Sequence, residues 1–380
     1  MSRIYLDHAA TSPMHPAVID TMTSFMSETF GNPSSIHAHG RESRRTLDMA
    51  RDEIASLIGA RATEIIFTSG GTEADNLAIL GTAYARRSKG NHIITTSIEH
   101  HAVLHTCEFL EKEGFRVTYL PVNEHGEISL EDFARELTDE TILVTIMYGN
   151  NEVGSLQPIR EIGEMLKNHQ AYFHTDAVQA FGVVKLDVTE LQADLLSVSG
   201  HKLNGPKGIG FLYAKSGLKL KPRAFGGEQE LKRRAGTENA PGAAGLHRAA
   251  VLSEQAREEK VREYKAMKTK MTDVFKAEGI SFEVNGSAER SLPHILNVFF
   301  PGTNVESFLV HLDLEGISAS SGSACTAGSI DPSHVLTAMF GDHSNRPASS
   351  IRFSFGLGNT VEQVEQAAHK IAAIVKRLTA

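Results

Sequence analysis

Short apolar runs alternate with amphipathic stretches along most of the chain. The runs EIIFTS (64–69), HIITTS (92–97), RVTYLP (116–121), ILVTIM (142–147), AYFHTD (171–176) and LLSVSG (195–200) have the length and β-branched content of buried strands. Between them, TEADNLAILGTAYARR (72–87) and PIREIGEMLKNH (158–169) repeat their apolar positions at helical spacing. Strands that are apolar throughout, separated by helices, predict βαβ units and a mainly parallel sheet covered on both faces. GIGFLYA (208–214) reads as a further strand that closes this large unit.

From about residue 237 the pattern changes. A charged stretch, SEQAREEKVREYKAMKTKMTDVFKAEG (253–279), predicts one long helix connecting two domains. Strand-like ILNVFF (295–300), helical NVESFLVHLDLEG (304–316), strand-like SSIRFS (349–354) and helical TVEQVEQAAHKIAAIVKRL (360–378) follow, an order that suggests a smaller α+β domain. The predicted class is therefore α/β: a large domain over 21–252, and a small one over 253–380 joined by the N-terminal segment 1–20.

Composition narrows the function. The 380 residues are 41% hydrophobic and 22% charged, ordinary for a globular protein, and no apolar run is long enough to span a bilayer. A net charge of -8 argues against direct nucleic-acid binding, and the basic run KRR at 232–234 is better read as shaping an interface. Two cysteines cannot build a disulfide framework, and MSRIYLDHAATSP lacks a signal-peptide core, so the expected compartment is the cytoplasm.

The candidate chemistry lies at predicted strand ends. In SVSGHKLNGPKGIGF (197–211), Lys202 follows a buried strand in a glycine-rich turn, which suits a Schiff-base amine, although a surface lysine is the simpler reading of SGHK alone. Gly200 and Gly205 have the spacing of a phosphate-binding P-loop, but Pro206 stands where that motif needs lysine. In HTDAVQAFG (174–182), Asp176 ends a strand, where it could pair with a protonated pyridine nitrogen or cap the next helix. TSGGTEADNLAI (68–79) predicts a strand, a Gly-Gly turn and a helix N-terminus able to hold a phosphate, with Thr72 and Asp75 also matching a capping pattern. In SIEHHAVLH (97–105), His101 and His105 have the spacing of metal ligands but lack a third, and His100 could stack on a planar ring. Lysine, aspartate, phosphate cradle and histidine at successive strand ends together describe a pocket for pyridoxal 5'-phosphate.

With these motifs the chain resembles the group I cysteine desulfurases of the class V (fold type I) aminotransferase superfamily. The resemblance runs from YLDHAAT (5–11) and GNPSSIH (31–37) through SSGSAC (320–325) to SSIRFSFG (349–356). It implies that Lys202 carries the cofactor, that Asp176 holds the pyridine nitrogen protonated, and that Gln179 bonds the phenolic oxygen. His100 would stack on the ring, and Gly71, Thr72, Ser199 and His201 would hold the phosphate. Thr237 would reach the phosphate of a neighbouring subunit, which implies a homodimer. Arg352 would bind the substrate carboxylate, with Asn151 close by. One departure is GGEQE at 226–230, where GGGQE is the pattern, so that Glu228 adds a charge near the expected dimer loop.

The resemblance also gives Cys325 a task. A thiol among glycine, serine and alanine could attack the sulfur of bound L-cysteine and carry it as a persulfide to an acceptor, either an iron–sulfur scaffold or a tRNA-thiolating enzyme. Cys107, in helical HTCEFLEKEG, reads as core. Selenocysteine lyase, an aminotransferase for a small amino acid, and a non-catalytic sulfur-relay scaffold are the rival readings.

Overall fold

The computed structural model describes residues 3–322 and 332–380. In chain order its strands are β1 (Ile4–Tyr5), β2 (Ile65–Thr68), β3 (His92–Thr96), β4 (Arg116–Leu120), β5 (Thr141–Thr145) and β6 (Tyr172–Asp176). They continue as β7 (Leu195–Ser199), β8 (Gly210–Ala214), β9 (Glu283–Asn285), β10 (Ile295–Phe299), β11 (Ile317–Ser318) and β12 (Ser350–Ser354). Among the described residues, β2 to β8 form one seven-stranded sheet in the order β2-β8-β7-β6-β5-β3-β4.

The contacts among β4, β3, β5, β6 and β7 are parallel, whereas β8 runs antiparallel to both β7 and β2. The cause is the length of the β7–β8 connection. A parallel return needs a crossover of a dozen or more residues, and the segment from Gly200 to Ile209 is too short for one. That short return is the turn that carries Lys202. Strands β3, β5, β7 and β8 are buried at every position, which explains their unbroken apolar runs.

The remaining strands form a second layer. β10 pairs antiparallel with β12 and β9, and β1 pairs in parallel with β11, Ile4 opposite Ile317. Helix Val361–Thr379 buries Val364, Ala368, Ile371 and Val375 on a core that includes Phe275, Phe300 and Phe308. Each such phenylalanine contributes about 1.5–3 kcal/mol by leaving water.

The long helix expected over 253–279 is two helices, Ala240–Gln255 and Arg257–Ala277. Ala256, at φ -96 and ψ 2, turns the chain out of helical geometry between them. The first is rich in alanine and glycine and is buried against helix Ala38–Leu57; the second exposes its charges. No helix among the described residues is long and apolar enough to cross a membrane.

Candidate active site

A cavity of about 350 Å³ opens where the sheet strands end, a size that suits a small organic cofactor. Its functional side chains come from the ends of several different strands and the turns beyond them. The turn after β2 supplies Gly71 and Thr72, His100 follows β3, and Asn151 and Glu152 follow β5. Asp176 ends β6, Ser199 ends β7, and His201 and Lys202 occupy the tight turn beyond it. Arg352 enters from β12 on the second layer, and the backbone of Ala9 and Ala10 completes the wall.

Lys202 Nζ donates to Ala9 O at 2.5 Å and to Ala10 O at 2.8 Å, so the N-terminal segment fixes the amine inside the cavity. Asp176 is buried and accepts from Val178 N at 2.9 Å. Burial pushes its carboxyl up to about 6, with the Val178 amide and the Lys202 charge acting against the rise. Two further acids reinforce this environment. Glu99, which accepts from Thr96 Oγ1 and Met147 N, is pushed up to about 8, and Asp75 is raised as well, both chiefly by burial. Asp75 Oδ1 lies 3.6 Å from His174 Nε2. That contact is not an ion pair, because burial lowers His174 to about 3 and leaves it neutral between Thr145 Oγ1 and Ser197 Oγ. The cavity wall thus includes two buried carboxyls, Asp75 and Asp176, on which no arginine closes among the described residues, and a protonated ring nitrogen would give Asp176 a close cation.

His100 is the N-cap of helix His101–Lys112, its Nδ1 accepting from Ala102 N at 3.1 Å. The neutral ring therefore carries its proton on Nε2. Burial, then the Lys202 charge, lowers its pKa to about 4 and keeps it uncharged near neutral pH.

Helix Gly71–Arg86 starts without a side-chain cap, which leaves backbone N–H groups at its first turn for an anion. The capping pattern read at Thr72 and Asp75 is not the one formed: Gly70 is the N-cap, and Glu73 accepts from Ser69 N. A Cβ on Gly71 would stand 2.8 Å from Val178 Cγ2, so glycine is needed for the close approach. Ser199 lies beside this turn, and His201, lowered to about 4 by burial and the Lys202 charge, is a neutral neighbour that meets Thr11 Oγ1 at 3.1 Å. A phosphate cradle, a buried carboxylate awaiting a cation and a lysine amine between them fit pyridoxal 5'-phosphate.

Arg352 is 2% exposed and donates from Nη2 to Asp7 Oδ1 at 2.8 Å and from Nη1 to Asn151 O at 2.9 Å. Its Nε has no hydrogen-bond partner among the described residues. Glu152 beside it accepts from Ser333 Oγ at 2.5 Å and is pushed up to about 7 by burial. Gln179 is held by Ala9 O and His294.

The cavity thus brings together every expected site residue except two. Thr237 is exposed in a loop and does not line the cavity of its own chain. Cys325 lies outside the described residues. Cys107 is buried in its helix, and burial pushes its thiol upward. His101 and His105 stack ring on ring at 4.9 Å, with His334 at 4.7 Å from His101. Sequence reasoning missed Asp7, Glu99, Glu152 and His294. Asp7 and Glu99 stand inside the motifs YLDHAAT and SIEHH; Asp7 is marked out only by its pair with Arg352, and Glu99 only by its burial.

Residues 4–367 match the family model for aminotransferase class-V, and the chain belongs to that family. The cysteine desulfurase IscS of Methanosarcina thermophila is 48% identical over 379 residues, covering 99% of this chain and 92% of its own. A Bacillus subtilis (strain 168) protein named IscS 1 is 64% identical over 379 residues, covering 100% of both. Among solved structures, a NifS-like protein superposes with a TM-score of 0.92 at 34% identity, covering 99% of this chain and 100% of its own. The structure titled SspA in complex with cysteine gives a TM-score of 0.81 at 37% identity, over 93% and 98% of the two chains. These relatives place the chain among the cysteine desulfurases of the family, enzymes that depend on pyridoxal 5'-phosphate.

Proposed function

We propose that the protein is a cysteine desulfurase that removes sulfur from L-cysteine, leaving L-alanine and a persulfide on Cys325. The observation that carries this reading is Lys202 and Asp176 facing one cavity in a chain that matches named cysteine desulfurases over nearly its whole length. Bound pyridoxal 5'-phosphate supplies an electron sink that makes the substrate Cα–H acidic. Asp176 would keep a proton at the ring nitrogen, and Gln179 would offer its amide to the phenolic oxygen. Gly71, Thr72, Ser199 and His201 would hold the phosphate. Lys202 takes the Cα proton and returns one to the product. Arg352, with Asn151 beside it, binds the substrate carboxylate, and its unpartnered Nε makes the guanidinium available for a second bond. His100, lining the same cavity, would lie against the cofactor ring and offer its Nε2 proton. In the transfer, the C–S bond of cysteine breaks as an S–S bond to the Cys325 thiolate forms, and protonation of the remaining three-carbon unit gives alanine.

The persulfide passes to an acceptor protein of iron–sulfur assembly or tRNA thiolation, in the cytoplasm. Thr237, exposed on its own chain, completes the phosphate site of a second copy, and the working enzyme is a homodimer. Wild type, Cys325→Ala and Lys202→Ala are compared with L-cysteine and a thiol reductant, scoring colour, sulfide and alanine. Cys325→Ala stays yellow and releases almost no sulfide, and Lys202→Ala makes neither product. Full sulfide release by Cys325→Ala would remove that thiol from the reaction and favour another lyase or a transaminase.

A further inference from the structure

We infer that His294 is a positioning residue for Gln179, fixing which end of its amide faces the cofactor cavity. The inference rests on the reading of that cavity as a pyridoxal 5'-phosphate site. His294 lies immediately before β10 and is 8% exposed. Gln179 Nε2 donates to Ala9 O at 3.0 Å, and Gln179 Oε1 faces His294 Nε2 at 3.3 Å.

A backbone carbonyl only accepts, so the amide nitrogen must face Ala9, and the amide oxygen must face the histidine. His294 Nε2 is therefore the protonated nitrogen and donates to Oε1. Turning the amide over would set Oε1 against Ala9 O and break both contacts. Gln179 also lines the cofactor cavity, and an N–H presented there attracts an anionic oxygen that a carbonyl would repel.

The surroundings keep His294 neutral, so only one ring nitrogen carries a proton. Burial, followed by the charges of Lys268, His8, Arg352 and Lys202, lowers its pKa to about 3. Its Nδ1 is buried with no protein partner among the described residues. His294 also lines a second cavity of about 30 Å³ with Gln179, Lys202, Lys260 and Tyr264, polar and large enough for roughly two waters. A chain of contacts thus runs from His294 through Gln179 to Ala9 O, which also receives Lys202 Nζ. The sequence interval between His294 and Gln179 is 115 residues, so no local motif announces it.

The test uses His294→Phe, which removes the donor, and His294→Gln, which can restore an N–H near the same point. Both are loaded with pyridoxal 5'-phosphate, and the pKa of the visible band and the cofactor dissociation constant are measured. His294→Phe raises that pKa by about one unit and weakens cofactor binding on the order of tenfold, as loss of a charge-assisted hydrogen bond would. His294→Gln recovers most of both effects. In a Gln179→Ala background, His294→Phe adds nothing further. Equal shifts in the Phe and Gln variants, or a Phe shift that persists without Gln179, overturn the inference and leave His294 a packing residue. Wild-type protein that stays colourless with added cofactor overturns the cavity reading itself, and the inference with it.

Discussion

Buried carboxylates behave in opposite ways in two regions of this molecule. Asp176 and Glu152, which line the cavity, have pKa values pushed up to about 6 and 7, and buried Glu99 near Asp176 is pushed up to about 8, because burial outweighs the charges around them. At Glu64, at Glu73 in the first turn of helix Gly71–Arg86 and at Glu230, acids are clamped by arginines. Glu64 is held down to about 2: burial pushes it upward, but Arg61 and the backbone N–H groups of Arg61 and Ser216 outweigh that. Arg234 and Ser69 likewise overcome burial at Glu73 and lower it. Glu230 takes both Arg51 nitrogens at 2.7 Å and Phe67 N at 3.0 Å. Clamped acids are finished structural joints. The Lys202 and Arg352 charges do not outweigh burial at Asp176 and Glu152, and a cationic ligand can.

Replacing an acid of the cavity should damage chemistry, and replacing a clamp should damage the fold. Asp176→Asn reduces kcat for cysteine on the order of 10²–10³-fold while thermal stability holds, measured by steady-state alanine release and calorimetry. Arg51→Met leaves Glu230 buried and unpaired and costs about 3–5 kcal/mol in denaturant unfolding, with turnover per folded site unchanged. Arg51→Met combined with Glu230→Leu recovers most of that loss; no recovery would show that the clamp's hydrogen bond to Phe67 N matters more than its charge balance.

Glu99 gives a prediction in pH. In the fold it keeps its proton to about pH 8, whereas its ordinary value is 4.5. The folded state therefore binds more protons than the unfolded state across that window, so this residue's contribution to stability falls as pH rises through it. Glu99→Gln, which cannot ionise, gains Tm relative to wild type steadily from pH 4.5 to 8; a parallel pair of curves would place no titration there. The smallest effect belongs to Glu228. Its pair with Lys232 at 2.8 Å is exposed on both sides, so Glu228→Gly leaves Tm unchanged within error at low and high salt.

The strand ends were legible because apolar runs with β-branched residues announce buried strands, and chemistry at their carboxyl ends follows from the architecture. Lys202, Asp176 and His100 were found that way, each by its place after a run. What stayed hidden depends on contacts distant in sequence. Arg51 and Glu230 are 179 positions apart, and nothing in RDEI or GGEQE marks them as partners. In GGEQE the departure at Glu228 drew notice, but the buried acid is Glu230, held where φ is positive at Glu230, Leu231 and Lys232. Such a run of left-handed residues without glycine carries strain that the Arg51 clamp sustains. The break at Ala256 was hidden for a different reason: alanine favours helix, and neither glycine nor proline marks the turn there.

The contact between Arg352 and Asp7 spans 345 residues and sets a timetable for synthesis. Asp7, Ala9 and Ala10 precede β2 in the chain, whereas Arg352 follows β10 and β11. At roughly 5–20 residues per second, about 20–70 s separate the two on the ribosome. During that interval β2 to β8 and the turn that carries Lys202 are all synthesised. The ion pair that ties the N-terminal segment to β12 therefore closes only after the whole seven-stranded sheet has been made.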